Sequence, residues 1–306
     1  MFKTKPFLML CVMAALCTQM ATALSAELQC LSNKHYLGTK ASTPQVQALA
    51  AASTFEPVLS KTGKSLVTVT KFGFDTVDSK SIESSWLIQD LLHFARTAKE
   101  PILDVGAGYG RLSHLLLQQS ATVVFNELDD RQLFYGLNQI DPSLHDRLYL
   151  NTHRFPKNMI IPPKKLSAVV FHRVLHFMRA DEIEEGLAKV NKWLVPGGKV
   201  YIAVLPPQHG EYQDKVLATY DKNWANGFSW PGDNLNSKLL LPEQVYALPA
   251  KLHVMDERPL KLALEKYGFK VEKSGFIDMN RFGKKEQRQG KELFGIIAVK
   301  AHDHPK

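Results

Sequence analysis

Residues 101–116, PILDVGAGYGRLSHLL, run from an apolar stretch through three glycines in five positions into a leucine-patterned segment. That layout is strand, loop, helix, and it constrains the fold more than any other part of the chain. Gly106, Gly108 and Gly110 alternate with Ala107 and Tyr109, and Asp104 stands just ahead of them. Glycine there permits positive φ and lets another molecule come close to the main chain. In an open α/β sheet, ligands bind at the carboxyl ends of strands, where the strand order reverses. The loop is therefore expected to hold a cofactor.

Downstream, strand and helix patterns alternate. ATVVFNE reads as a strand and DDRQLFYGLNQI as a helix; DRLYLN and LSAVVFH are two further strands. A helix is expected from Asp181 to Leu194, with Asp181 and Glu184 as a capping pair, followed by a strand in KVYIAVL. Such alternation predicts a parallel sheet covered by helices on both faces. FKVEKSGFI and LFGIIAVKA follow a helix opened by Asp256 and Pro259, and their short connection predicts antiparallel pairing. Upstream, TPQVQALAAASTFEPVL reads as a short helix and KSLVTVTKFGF as a single strand.

The chemistry of the loop narrows its ligand. A dinucleotide site spaces its glycines G-x-G-x-x-G, so that pyrophosphate rests on the helix N-terminus. Here the spacing is G-x-G-x-G, and a carboxylate beside the loop, Asp104, repels phosphate but suits an ammonium group. S-adenosylmethionine carries an ammonium and a sulfonium and no phosphate. Glu127 closes the next strand, where an acid accepts hydrogen bonds from ribose hydroxyls.

LDVGAGYGRL, VVFNELD, AVVFHRVLHFM and LVPGGKVYIAV resemble successive motifs of the class I S-adenosylmethionine-dependent methyltransferases. The resemblance covers roughly residues 80 to 300. It implies a Rossmann-like, doubly wound α/β fold with a seven-stranded sheet in the order 3-2-1-4-5-7-6, strand 7 antiparallel. It also implies that Gly106, Ala107, Gly108 and Gly110 pass the methionine portion, that Asp104 holds its amino end, and that Glu127 binds the ribose. Where relatives often place an adenine-binding aspartate this chain reads LNTHRF, leaving Asn151 or Thr152 for that hydrogen bond; Ser167 replaces another frequent aspartate. The acceptor motifs of nitrogen-directed DNA or glutamine methylation are missing.

Methyl transfer relies on alignment, and a base is needed only for a weakly nucleophilic acceptor, so catalytic residues are poorly marked. His172 and His176, at the exit of the fourth strand, are candidates for that base or for packing. The acceptor, a small molecule or a protein, is left open. So is a non-catalytic protein that keeps the fold and binds the cofactor. Trp224 and Trp230, in the interruption at 206–255, are candidates for a substrate lid or for a satellite core.

The chain has 306 residues, 45% hydrophobic and 22% charged, enough to bury a large core. Its net charge of +8 comes with no compact basic-aromatic module, which disfavours nucleic acid. Lys3 and Lys5 precede PFLMLCVMAALCTQM and the small residues of ATALSA, the pattern of a secretory signal over residues 1–26, shorter than a membrane span. An uncleaved anchor is the alternative. Cleavage leaves Cys30 as the one cysteine, which can build neither an internal disulfide nor a cysteine metal site. The expected division is thus a signal at 1–26, an extension at 27–80 and a methyltransferase domain at 81–302. Export conflicts with a cofactor made inside cells; a secreted enzyme acting within a recipient cell reconciles them. Oligomeric state is left open.

Overall fold

The computed structural model describes residues 35–76, 80–83, 85–210, 212, 214–278 and 290–301. The basic, apolar N-terminal stretch, Cys30 and most of the link between the last two strands lie outside them. No helix among the described residues is long and apolar enough to cross a membrane.

In chain order the strands are β1 (Thr39–Lys40), β2 (Ser65–Val67), β3 (Phe74–Thr76), β4 (Ile102–Val105), β5 (Val123–Asn126) and β6 (Leu148–Asn151). They continue with β7 (Leu166–His172), β8 (Leu194–Val204), β9 (Leu235–Asn236), β10 (Lys251–Leu252), β11 (Phe269–Ile277) and β12 (Leu293–Lys300). The longer helices are α1 (Pro44–Ala52), α2 (Trp86–Ala95), α3 (Arg111–Gln118), α4 (Asp130–Asn138), α5 (Ala180–Trp193), α6 (Asp214–Ala225) and α7 (Glu257–Lys266).

The main sheet has eight strands in the order β1-β6-β5-β4-β7-β8-β12-β11, which corrects the seven-stranded expectation. The addition is β1, two residues too short to show alternation in sequence, paired antiparallel with β6 through Thr39–Leu150 and Lys40–Tyr149. Strands β6, β5, β4, β7 and β8 run parallel. β12 pairs antiparallel with β8, and β11 antiparallel with β12, as their short connection predicts.

Both faces of this sheet are covered because its central strands are apolar on both sides. Ile102 joins one core with Leu87, Ile88 and Leu91 of α2 and Leu116 of α3. The next residue, Leu103, points the other way and joins Ile183 and Leu187 of α5 and Leu260 of α7. On α2 the buried residues Leu87, Ile88, Leu91, Leu92 and Ala95 recur at helical spacing. Burying each large aliphatic side chain contributes about 1.5–3 kcal/mol.

Helix ends follow local chemistry. Asp129 caps α4 by accepting from the Arg131 N–H, and Asp256 caps α7 by accepting from the Arg258 N–H. The expected Asp181–Glu184 pair does not cap α5. The helix starts one residue earlier, and the Glu182 carboxylate accepts from the Arg179 N–H at 3.2 Å, because the third helical position alone reaches back to the cap.

The stretch expected as one strand, KSLVTVTKFGF, is instead the antiparallel pair β2–β3. Lys71 (φ +57) and Gly73 (φ +91) turn the chain between them, which a continuous strand cannot accommodate. This hairpin lies at the glycine loop. Tyr109 Oη–H donates to the Val67 carbonyl at 2.8 Å, and the Val69 N–H donates to Gln132. On the far side, the Gly73 N–H donates to the Ala247 carbonyl at 2.8 Å, and Phe74 meets Tyr246 edge to face at 5.8 Å.

Candidate active site

The carboxyl ends of β4, β5 and β7 open into a cleft of about 1190 Å³, its mouth included. Gly106–Gly108 and Asn126–Leu128 form one wall, and His172, Arg173, Val174, Phe177 and Met178 the other. The hairpin supplies Thr68, Thr70, Phe72, Phe74 and Asp75.

Strand alternation places the first acid. Asp104 shares the face of Ile102, so it meets α3, where Ser113 Oγ–H donates to its Oδ2 at 2.8 Å. The side chain is 1% exposed and lines the cleft. Burial pushes its carboxyl up to about 7; the Ser113 bond opposes the rise and Asp75 adds to it.

Glu127 sits just beyond β5 and is also buried. Its Oε2 accepts from the Gly108 N–H at 3.0 Å, and its Oε1 accepts from Leu128 and Asp129 N–H at 2.8 and 3.2 Å. Burial nonetheless carries this carboxyl up to about 7, against those three donors. Glu127 therefore braces the loop and faces the cleft at once.

The three glycines have different tasks. All take positive φ: +63 at Gly106, +60 at Gly108 and +76 at Gly110. A Cβ on Gly106 would lie 2.7 Å from Val174 Cγ2, and one on Gly108 would lie 3.1 Å from Asp75 Oδ2. Gly110 is not among the residues lining the cleft. A Cβ there would lie 2.6 Å from the buried Phe125 ring, so this glycine serves packing. Ala107 does line the cleft.

Asn151 turns away. Its Oδ1 accepts from Asn126 Nδ2 at 3.1 Å and from the His153 N–H at 3.0 Å, and its Nδ2 donates to the Leu37 carbonyl at 3.4 Å. It is fully buried and does not line the cleft, because β1 and the segment before it cover the outer side of β6. Asn126 takes the place near the loop: its Oδ1 accepts from the Gly106 N–H at 3.5 Å, and it lines the cleft.

The two histidines separate likewise. His172 lines the cleft, and His176 does not. His176 is buried over Phe177, and its Nδ1 has no hydrogen-bond partner among the described residues. Burial and the neighbouring Arg173 hold its imidazole well below the usual range, so it stays neutral and packs. Trp224 and Trp230 are likewise absent from the lining. Arg258 lies over the Trp224 ring, and Trp230 Nε1–H donates to Glu184 at 3.0 Å. The aromatic rings at the cleft are Phe72 and Phe177, 5.5 Å apart, with Phe74 and Phe155.

Sequence reading passed over Asp75 and Arg173. Asp75 Oδ2 accepts from the Tyr109 N–H at 2.8 Å. With Glu127 on Gly108, carboxylates thus occupy two loop amides that a pyrophosphate would need. The remaining buried acid, Asp104, suits a cationic group. The residues present fit S-adenosylmethionine and oppose a dinucleotide.

Residues 103–200 match the family model described as a methyltransferase domain. Solved structures of like fold include an S-adenosylmethionine-dependent methyltransferase from Mesorhizobium loti, 14% identical, with a TM-score of 0.53 over 70% of this chain and 97% of that one. Another, from Methanosarcina mazei, is 16% identical, with a TM-score of 0.52 over 70% of this chain and 98% of that one. At such identities the likeness is one of fold. No curated protein matches the chain in sequence.

Proposed function

We propose that this chain, which carries a methyltransferase domain, holds S-adenosylmethionine in the cleft at β4 and β5 and transfers its methyl group to an acceptor entering beside β7. The observation that carries the reading is the pair of buried carboxylates, Asp104 and Glu127, on either side of a glycine loop whose amides are already engaged by acids. When bound, the cofactor supplies an electrophilic methyl on a sulfonium. Asp104 holds the ammonium end, Glu127 receives ribose hydroxyls, and Gly106 and Gly108 let the methionine portion lie against bare backbone. The hairpin lines that side of the cleft with Phe72 and Phe74. His172 is the imidazole placed to take a proton from an acceptor that needs deprotonation.

Titration calorimetry tests the cofactor. The purified protein is expected to bind S-adenosylmethionine and S-adenosylhomocysteine and to show no heat with NAD; binding of NAD alone would overturn the reading. Incubation with methyl-labelled cofactor in a cell extract then tests turnover, with label expected in an acceptor fraction.

Glu127→Ala is expected to weaken cofactor binding by about 1.5–3 kcal/mol, the scale of hydrogen bonds to a charged group. Part of that loss reflects the amide of Gly108, left without its carboxylate. Unchanged affinity by calorimetry would leave Glu127 as a loop brace only.

A further inference from the structure

We propose that Arg173 is the recognition residue for an anionic group on the acceptor, and hence that the acceptor is a small molecule joining a carboxylate or phosphate to an apolar, ring-sized body. This rests on the methyltransferase reading and extends it to the substrate.

Arg173 follows β7 directly and takes φ +65, a conformation that residues with a Cβ adopt only when the surroundings impose it. Its N–H is fixed on the Ala203 carbonyl at 2.8 Å, so the backbone is held there by the neighbouring strand. The side chain is half-buried and lines the cleft. Burial lowers the guanidinium pKa and Asp75 works against that, yet arginine remains charged in any such setting.

Among the described residues the guanidinium makes no ion pair and no hydrogen bond. The other arginine of the lining, Arg154, is matched by Glu182 at 3.4 Å. The acids near Arg173 have other tasks: Asp75 binds the Tyr109 amide, Asp104 binds Ser113, and Glu127 binds the loop. Asp75 acts on this half-buried cation through its charge without pairing with it directly, and an oxyanion from outside the chain would meet the guanidinium with two parallel hydrogen bonds.

Position assigns that oxyanion to the acceptor. The residues proposed above for the cofactor lie at the ends of β4 and β5, whereas Arg173 follows β7 and lines the cleft with His172, Phe177 and Met178. Phe177 and Phe72 form the ring pair on this side of the cleft. An apolar body against these rings would place its charged group at Arg173 and its nucleophile toward His172.

The test uses full-length protein saturated with S-adenosylhomocysteine, with benzoate, phenyl phosphate and neutral benzamide as probes in ligand-observed NMR or calorimetry. Benzoate or phenyl phosphate is expected to bind at least tenfold more tightly than benzamide, and the better of the two identifies the oxyanion. Arg173→Gln is expected to erase that preference while changing affinity for S-adenosylhomocysteine by less than twofold. Arg173→Lys keeps the charge and is expected to retain part of the preference. Equal binding of all three probes, or no binding of any, overturns the proposal. So does a tenfold loss of S-adenosylhomocysteine affinity in Arg173→Gln with its fold intact by circular dichroism, which would give Arg173 to the cofactor's carboxylate. Failure of the wild-type protein to bind S-adenosylhomocysteine would instead overturn the methyltransferase reading on which this one rests.

Discussion

Gly108→Val is expected to abolish S-adenosylmethionine binding while leaving the sheet folded. Gly108 sits at φ +60, where a β-branched residue costs on the order of 1–3 kcal/mol. Its new Cβ would lie 3.1 Å from Asp75 Oδ2, an atom on the hairpin over the cleft. Both disturbances fall on the surface that the cofactor must approach, and neither falls on the core. Gly110→Val is the contrasting variant. Its Cβ would lie 2.6 and 3.0 Å from atoms of the Phe125 ring, which is fully buried. Overpacking of about 1–3 kcal/mol then adds to the backbone strain. Thermal unfolding should therefore fall sharply for Gly110→Val and modestly for Gly108→Val, and calorimetry should show affinity lost in the second. Wild-type affinity in Gly108→Val would remove the loop from the cofactor site.

Cofactor affinity is also expected to rise steeply with pH. Burial carries Asp104 and Glu127 up to about 7, so near neutrality both are partly protonated before the ligand arrives. A cationic ammonium favours the ionised Asp104, and ribose hydroxyls favour an ionised acceptor at Glu127, so binding releases protons. Each carboxylate that must ionise lowers affinity by about tenfold at pH 6 relative to pH 8. Together they predict a rise of more than tenfold from pH 6 to pH 8, part of the gain being taken back at the upper end as the cofactor's own α-amino group loses its proton; calorimetry across that range would read it directly.

The stability of the ligand-free protein should move the other way. An acid whose folded pKa is raised stabilises the fold below its ordinary range, near 4. That contribution is lost as pH rises through about 7 for both groups. Asp104→Asn keeps the shape and removes the titration. The variant is expected to unfold at a higher temperature than wild type at pH 8, with a smaller gain at pH 5. It should also bind the cofactor more weakly at pH 8, with about half the pH slope. A pH-independent affinity in the wild type would mean that neither carboxylate meets charge on binding.

The apolar periods explain why so much of the frame was legible. Ile183, Leu187 and Val190 mark a helix face, and the continuous apolar runs at residues 123–125 and 168–171 mark strands buried on both sides. The glycine spacing was legible because positive φ at Gly106, Gly108 and Gly110 demands that residue type, and the two acids stood out as carboxylates beside the loop. Asn151 was misplaced for the opposite reason. Its type suited an adenine contact, but its orientation was set by β1, a two-residue strand with no period of its own. His172 and His176 lie four residues apart in one motif, and only the turn after β7 decides that the first lines the cleft and the second packs.

The amino-acid sequence by itself determined the layered α/β frame, the antiparallel last pair, the loop and the presence of its flanking acids, whose charge burial then sets. Each is a local property, fixed by the side-chain period or by what a single residue type permits. Tertiary structure alone decided what covers the cleft and what lines its far wall. Asp75 reaches the Tyr109 amide from 34 residues upstream, and Arg173 takes a left-handed turn held by Ala203. Neither stands in a spacing that signals its role, because both are placed by contacts between segments distant in the chain.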